Sequence, residues 1–237
     1  MSNYIYGYNT FKEAVKNNRI SIAYTLNDQK ILNDLNKYHV NYKIVDKKYL
    51  DKLSNNGNHN GIVCLMKSEY KQAKLEDMIK KENGLIIVLD GLKDPHNLGA
   101  IMRTCDIAGA DGIIYKSHDS VKVNDTVAKV SCGAIEYVKY LEVTNITNTL
   151  KKLKENGYWV IGTDVNNATP YNKQDYNMNV ALVIGSEEKG ISPLVKKECD
   201  FMVNIPNNGH IDSLNASVAA AVLIFRIVES RSKYLIK

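Results

Sequence analysis

The sequence LIIVLDGLKDPHNLGAIMRTCDIAGADGIIY, residues Leu85 to Tyr115, contains the alternation of elements that decides the fold. It opens with the continuous apolar run Leu85–Leu89, which is too short for a helix, and closes with a second such run at Gly112–Tyr115. Helical periodicity lies between them, at Leu98–Ala108. Because strands that are buried on both faces have continuous apolar runs, this order predicts two parallel strands joined by a helix.

The same alternation continues towards the C-terminus. Apolar runs predict further strands at Tyr158–Ile161, Val180–Ile184 and Phe201–Ile205, and helical patterns predict helices at Val123–Val130, Ile146–Asn156 and Leu214–Glu229. We therefore predict an α/β domain with a mostly parallel sheet over residues 84–237.

The first 70 residues have a different texture, with short elements that alternate between strand and helix. Strands are predicted at Ile20–Leu26, Tyr42–Val45 and Ile62–Met66, and helices at Asp28–Tyr38 and Lys47–Leu53. This pattern indicates a small α/β domain over residues 1–70. The charged and weakly helical stretch 71–83 suits an interdomain linker.

The composition excludes several classes of protein. With 44% hydrophobic and 24% charged residues and no apolar run near eighteen residues, we expect a soluble globular chain rather than a membrane protein. The start MSNYIYGYNT lacks the basic and apolar regions of a signal peptide, so a cytoplasmic protein is expected. The four cysteines form no CxxC pair and the five histidines no HExxH pair, so neither a metal site nor a disulfide framework is predicted.

Positive charge is concentrated at the N-terminus. Of the formal net charge of +5, residues 1–70 carry +4, from ten Lys/Arg and six Asp/Glu. This excess permits nucleic-acid binding without requiring it. Lysine supplies nearly all of the charge, and the only arginines are Arg19, Arg103, Arg226 and Arg231. In so lysine-rich a chain, we expect an arginine to act through its planar guanidinium, which has five N–H donors, rather than through its charge alone.

Ligands bind at the carboxyl ends of strands in open parallel sheets, so functional residues are expected in the loops that follow the predicted strands. The first such loop, 90–99, leads into a helix that contains Arg103, with Asn97 six residues before it. Two interpretations are open for this pair. The side chains can converge on one site, or Asn97 can cap the helix while Arg103 is a surface residue.

The second loop reads GSEEKGISPL, residues Gly185 to Leu194. Its simplest interpretation is that Gly185 and Gly190 permit turns while Glu187 and Glu188 are solvated charges.

The third loop follows the predicted strand Phe201–Ile205. It contains Ser213, which is predicted to cap a helix whose first turns are made of small residues, so that another backbone can approach closely. An ordinary helix start is the alternative. None of the three loops has the GxGxxG or GxxxxGK[ST] spacing, which argues against dinucleotide and P-loop phosphate binding.

Taken in order, the three loops resemble the three motifs of the SpoU or TrmH family of RNA ribose 2′-O-methyltransferases. The motifs are Asn97-x-Gly99-x-x-x-Arg103, Gly185-x-Glu187-x-x-Gly190 and Ser213-Leu214-Asn215-x-Ser217. The resemblance covers Leu85 to about Arg231. The N-terminal domain in turn resembles the small, ribosomal-protein-like RNA-binding domain of the RlmB branch of this family.

The resemblance implies a trefoil-knotted methyltransferase domain, a homodimer, and S-adenosyl-L-methionine as cofactor. It implies that the cofactor contacts are Gly185, Gly190, Ile205 and Leu214. It also implies the catalytic set Arg103, Asn97, Glu187, Ser213 and Asn215, with Glu187 as a partner of Arg103 and no role for Glu188. Because a guanidinium is effectively always protonated, we expect Arg103 to clamp an RNA phosphate and polarise the ribose hydroxyl rather than to act as the base.

The RlmB-like N-terminal domain implies a guanosine of 23S rRNA in the peptidyl-transferase centre as the target. A tRNA guanosine is the alternative substrate, although the family's tRNA enzymes tend to have short basic extensions instead of a separate domain. A non-catalytic RNA-binding assembly factor is the alternative of a different class, and the presence of Asn97, Arg103, Glu187 and Asn215 argues against it.

Overall fold

The residues that the structure describes form two sheets, one of four strands and one of seven. The computed structural model describes residues 4–165, 168–211 and 213–231. Contacts divide the chain into two units. The first is made of the residues up to Lys71 together with Val123–Tyr137, and the second of Gln72–Lys122 and the residues from Val138 onward.

The first unit contains the four-stranded sheet. Its strands are β1 (Tyr4–Tyr6), β2 (Ile20–Thr25), β3 (Tyr42–Ile44) and β4 (Ile62–Met66), in the order β1-β4-β2-β3. Its first three helices are α1 (Tyr8–Lys16), α2 (Gln29–Lys37) and α3 (Lys47–Leu53). β4 pairs antiparallel with β1 and β2, and β2 pairs parallel with β3. The five elements predicted here are confirmed, whereas β1 and α1 were not predicted, because the short strand and the helix are separated by a single residue, Gly7.

The second unit contains the seven-stranded sheet. Its strands are β5 (Leu85–Asp90), β6 (Gly112–Lys116), β7 (Tyr140–Val143), β8 (Tyr158–Thr163), β9 (Thr169–Pro170), β10 (Asn179–Gly185) and β11 (Phe201–Asn204). The order is β7-β6-β5-β10-β8-β11-β9, and every recorded pair is parallel. The mostly parallel sheet predicted from the apolar runs is therefore confirmed. β5 and β10 lie side by side at its centre with their apolar residues buried.

Four helices of the second unit follow its strands. They are α4 (Pro95–Ala108), α6 (Ile146–Glu155), α7 (Pro193–Glu198) and α8 (Ala216–Arg231). α7, β7 and β9 were not predicted, because each is too short to show a clear period. Several predicted boundaries were also wrong. β11 ends at Asn204, so Ile205 lies outside the strand, α8 begins at Ala216 rather than at Leu214, and α4 begins at Pro95 rather than at Leu98.

The cap of α8 explains its later start. The side-chain oxygen of Asn215 accepts hydrogen bonds from the backbone N–H of Ser217 at 2.9 Å and of Val218 at 3.4 Å. An N-cap residue lies just before the first helical residue. The capping role predicted for Ser213 was therefore wrong, and Asn215 has it.

A segment between β6 and β7 packs within the first unit. It contains α5 (Asp125–Val130), which is followed by a 3₁₀ turn at Ala134–Glu136. The Tyr137 hydroxyl donates to Glu13 at 2.7 Å, and Glu136 lies 3.6 Å from Arg19. The first compact unit is thus discontinuous in sequence, whereas the predicted domains are continuous. The division into an RNA-binding domain, a linker and a methyltransferase domain stays a prediction.

Arg231 fastens the end of α8 to the amino-terminal edge of the large sheet. Its Nε donates to the carbonyl oxygen of Tyr176 at 3.0 Å, and its terminal nitrogens donate to the carbonyls of Asn83, Gly84 and Met178 at 2.6 to 3.1 Å. One planar guanidinium therefore donates to four carbonyl groups. This agrees with the expectation that the few arginines of this lysine-rich chain act through their several donors.

Among the described residues, no helix is long and apolar enough to cross a membrane. All four cysteines are free thiols. Burial raises the pKa of Cys64 and of Cys105, so both are held in the protonated form that suits packing.

Candidate active site

The three loops leave the large sheet in one region. β5 and β10 are parallel neighbours, with Asp90 aligned with Gly185, so the first and second loops start beside each other. The third loop leads into α8, which packs against α4, the helix that follows the first loop. The carboxyl ends of parallel strands are where open α/β sheets bind ligands.

Asn97 joins the three loops through one side-chain amide. Its Nδ2 donates to Oε1 of Glu187, and its Oδ1 accepts from Nδ2 of Asn215 at 3.0 Å. The partners are 90 and 118 residues away along the chain. Because both ends of the buried amide are engaged, its orientation is fixed.

The cap of α4 is Asp94, not Asn97. The Asp94 carboxylate accepts a hydrogen bond from the backbone N–H of His96 at 2.8 Å, and Pro95 occupies the first helical position. This backbone bond, more than the His96 ring, lowers the pKa of Asp94 below its usual value. The interpretation of Asn97 as a simple cap was therefore wrong.

The second loop folds back on itself. Ser186 N–H donates to the Gly190 carbonyl at 3.1 Å, and Gly190 N–H donates to the Ser186 carbonyl at 2.8 Å. A Cβ atom on Gly185 would lie 2.1 Å from the carbonyl carbon of Gly190, and Gly190 itself has a φ of +63°. Both positions therefore require glycine for the shape of the loop. The cofactor contacts implied for these two residues stay a prediction.

Asp90 fixes the second loop to the end of β5, and it was missed by the sequence analysis. Its buried carboxylate accepts a hydrogen bond from the backbone N–H of Ser192 at 2.8 Å. Its position in the sequence could have revealed it, because a carboxylate that directly follows a buried apolar run needs a hydrogen-bond partner.

The two adjacent glutamates of the second loop have different surroundings. Glu187 meets Asn97, whereas Glu188 is exposed and lies 3.6 Å from the exposed Lys93. An exposed pair of this kind contributes little to stability. Glu188 is therefore a surface charge.

Arg103 is exposed on α4, about 9 Å further along the helix axis than Asn97 and about 120° around it. The two side chains therefore leave the helix in different directions. The contacts bring together Asn97, Glu187 and Asn215, while the pairing of Glu187 with Arg103 stays a prediction.

Ser213, Leu214 and Asn215 are all exposed just before α8. At the end of β11, the side-chain oxygen of Asn204 is buried and has no hydrogen-bond partner within the described ranges. Ile205 follows it and is half-buried. A buried acceptor of this kind suits a ligand that brings a donor.

Groups of three or more His, Cys, Asp or Glu side chains placed to hold a metal ion are absent from the part of the chain that the structure describes.

Two known protein families match this chain, one in each part of the sequence. The SpoU rRNA Methylase family matches residues 84–225, which is more than half of the sequence. The chain belongs to the SpoU rRNA methylase family. A second family, described as RNA 2′-O ribose methyltransferase substrate binding, matches residues 4–72 of this SpoU methylase. The family resemblance expected from the three motifs is thus confirmed, and the protein is an RNA methyltransferase by family.

Individual relatives agree with this assignment. A putative TrmH family tRNA/rRNA methyltransferase of Staphylococcus aureus (strain COL) is 42% identical over 226 residues, covering 93% of this chain and 87% of its own. The crystal structure of the SpoU methyltransferase AviRb from Streptomyces viridochromogenes, in complex with AdoMet, has a TM-score of 0.82 at 21% identity and covers 96% of this chain and 90% of its own. A TrmH/SpoU tRNA modifying enzyme of A. aeolicus, at 29% identity and a TM-score of 0.58, covers 66% of this chain and 79% of its own.

Proposed function

We propose that this SpoU methylase transfers a methyl group from S-adenosyl-L-methionine to the ribose 2′-oxygen of a guanosine in 23S rRNA, in the peptidyl-transferase centre. The observation that carries the proposal is the Asn97 amide, which holds Glu187 and Asn215 together. These three residues occupy motif positions in three different loops, and a non-catalytic RNA-binding factor has no need of that junction.

The loops fit the cofactor. Gly185 ends β10, and Gly190, Ile205 and Leu214 lie in the loops that follow β10 and β11, at the carboxyl ends of parallel strands, where open α/β sheets bind ligands. The side-chain oxygen of Asn204, for which the described residues provide no hydrogen-bond donor, adds a buried acceptor next to Ile205. When bound, S-adenosylmethionine supplies a methyl group on a sulfonium ion, ready for in-line displacement.

The side chains of this protein position the nucleotide. Glu187 and Asn215 are exposed at the ends of the fixed Asn97 amide, so the second carboxylate oxygen of Glu187 and the second amide hydrogen of Asn215 can receive the ribose, with Ser213 two residues before Asn215 in the same loop. Arg103 clamps an adjacent phosphate and polarises the 2′-hydroxyl. The hydroxyl proton leaves to a base other than Arg103, because a guanidinium stays protonated.

A homodimer belongs to this proposal. α4 and α8 pack against each other, and their outer surfaces carry exposed apolar side chains: Ile107 is 66% exposed, Val218 48% and Phe225 47%. Val218 and Phe225 are seven residues apart, which places them on one helical face, and Arg103 precedes Ile107 by one turn. A second copy that covers this surface removes it from water and brings Arg103 to the interface.

The trefoil knot and the cytoplasmic location are part of the same proposal. Small side chains at the start of α8, of which Ala216 and Ala220 are buried, allow the close packing that threading through a loop demands.

The choice of ribosomal RNA rests on the first unit. Residues 1–70 carry most of the net positive charge, and the A. aeolicus tRNA modifying enzyme covers only 66% of the chain. A separate basic unit suits a large, folded RNA substrate.

The test uses tritiated S-adenosylmethionine with 23S rRNA and, separately, with tRNA, followed by mapping of the labelled ribose. We expect label in the rRNA. Arg103→Ala should lower the rate roughly 100-fold or more while the protein melts normally. Arg226→Ala is the matched control, because that arginine binds Glu229 and the Asn172 carbonyl, and it should keep its activity.

Three results would contradict the proposal in different ways. Label in tRNA with none in rRNA overturns the target. Cofactor binding with no transfer to any RNA supports a non-catalytic factor. Full activity of Arg103→Ala removes the role assigned to the guanidinium.

A further inference from the structure

The small sheet of the first unit has two unlike faces. On one face Ile5, Ala23 and Cys64, from three neighbouring strands, are buried. On the other face Tyr4 lies opposite Leu65, which lies opposite Ile22, and all three are partly exposed. A row of apolar side chains left accessible on a sheet marks an interaction surface.

Two further tyrosines extend this row. Tyr24 on β2 has its ring centroid 6.4 Å from that of Tyr4 and 5.6 Å from that of Tyr49 on α3. The rings are tilted by 57° and 45°, so each leaves part of its flat side uncovered by the next, and Tyr49 is 43% exposed. We call the surface formed by Tyr4, Ile22, Tyr24, Tyr49 and Leu65 the tyrosine face.

The phenols of the tyrosine face are coupled to one another. Burial, followed by the neighbouring phenols of Tyr24 and Tyr49, raises the pKa of Tyr4 above its usual value. A side-chain hydrogen bond with Tyr24 contributes to the same shift, so the two phenols hold each other in place on this surface.

Positive charge borders the tyrosine face. Four exposed lysines lie in the segment that runs from β3 through α3: Lys43, Lys47, Lys48 and Lys52. Lys43 is aligned with Tyr24 on the neighbouring strand. The two carboxylates of the segment are engaged internally, since Asp46 accepts from the Tyr49 backbone N–H at 2.7 Å and Asp51 lies 3.1 Å from the His59 ring. The border is therefore complementary to a polyanion.

We propose that the tyrosine face binds unpaired nucleotides of the RNA substrate, with bases stacked on Tyr24 and Tyr49 and phosphates near the lysines. The inference rests on the proposed function, which supplies the RNA. Every base has a flat face that stacks on an aromatic ring, but only an unpaired base can turn that face outwards. The surface thus selects single-stranded or looped RNA over a continuous duplex.

The test measures binding of a short fluorescein-labelled single-stranded RNA, and of the same RNA as a blunt duplex, by fluorescence anisotropy with the full-length protein. Tyr49→Leu should weaken single-strand binding roughly tenfold, and Tyr49→Phe, which keeps the ring, should stay within about twofold of the unchanged protein. Tyr38→Leu is the matched control. Tyr38 is also an exposed tyrosine with a lysine, Lys37, 5.3 Å from its ring, but it lies at the end of α2, outside the tyrosine face.

The result that overturns the inference is single-strand binding by Tyr49→Leu as tight as that of the unchanged protein, while the variant melts normally. Equal affinity for duplex and single strand also overturns it, because charge alone would then account for binding. The methyl-transfer assay separates this from the proposed function. If Tyr49→Leu methylates rRNA as well as the unchanged protein, only the role of the tyrosine face is refuted. If the unchanged protein neither binds nor methylates RNA, both this inference and the proposed function are refuted.

Discussion

Replacing Asn97 tests the junction on which the candidate site depends. Asn97→Leu keeps the approximate size of the side chain and removes both of its hydrogen bonds. The bond to the Glu187 carboxylate contributes about 1.5–3 kcal/mol and the bond to Asn215 about 0.5–1.5 kcal/mol. Glu187 and Asn215 are exposed, so water replaces the lost partner and no buried charge is left alone. We expect a loss of about 2–4 kcal/mol in the free energy of unfolding, or roughly 5–15 °C in Tm for a chain of this size.

Asn97→Asp adds a dependence on pH. It keeps an acceptor for Asn215 but points a second carboxylate at Glu187. Two unit charges about 4 Å apart repel by about 4 kcal/mol at an effective dielectric constant of about 20, and the exposure of Glu187 reduces this to about 1–3 kcal/mol. The repulsion raises the folded-state pKa of the introduced carboxyl above its unfolded value. The penalty is therefore present above that raised pKa and is relieved as the pH falls through it.

Thermal melts of the two variants and of Asn97→Asp combined with Glu187→Gln, at about pH 7.5 and about pH 5, check this reasoning. We expect Asn97→Asp to gain stability on acidification relative to Asn97→Leu. The double variant should recover stability at the higher pH, because an amide replaces one of the two charges. If Asn97→Asp melts like the unchanged protein at both pH values, and Glu187→Gln does nothing for it, the two side chains are not in contact and the reasoning is refuted.

Three further predictions concern other parts of the second unit. Asp94→Ala should lower the free energy of unfolding by about 1 kcal/mol at neutral pH, because α4 loses its cap. The folded-state pKa of Asp94 is lowered, so the stabilisation by its charge should be present above the unfolded pKa near 4 and fade as the pH falls through the folded value. Chemical denaturation over that pH range would reveal the change. Gly185→Ala should distort the second loop, because the new Cβ would lie 2.1 Å from the carbonyl carbon of Gly190. Titration calorimetry should then show that the variant no longer binds S-adenosylmethionine. Binding at normal affinity would contradict the loop geometry. Arg231→Lys should lower the free energy of unfolding by roughly 2–4 kcal/mol, because an ammonium cannot reach all four carbonyls, and an unchanged guanidinium chloride midpoint would show that the planar guanidinium is dispensable.

Much of the fold could be predicted from local sequence. β5 and β10 were located because strands buried on both faces are continuously apolar, which is a property of a few consecutive residues. β7 and β9 escaped prediction because their four and two residues show no clear period. The inclusion of 123–137 in the first unit could not be predicted either, since it depends on contacts such as that between Tyr137 and Glu13, 124 residues apart.

The sequence by itself determined the family and the positions of the three motif loops, because residue type and spacing are local. It did not determine which side chains meet. Only the tertiary structure decided that Asp94 caps α4 and Asn215 caps α8, which leaves Asn97 free to bind Glu187 and Asn215. The two caps join residues only two or three positions apart, whereas the contacts of Asn97 join residues 90 and 118 positions apart. The physical reason is that these long-range contacts exist only once β5 and β10 have paired in register and α8 has packed on α4.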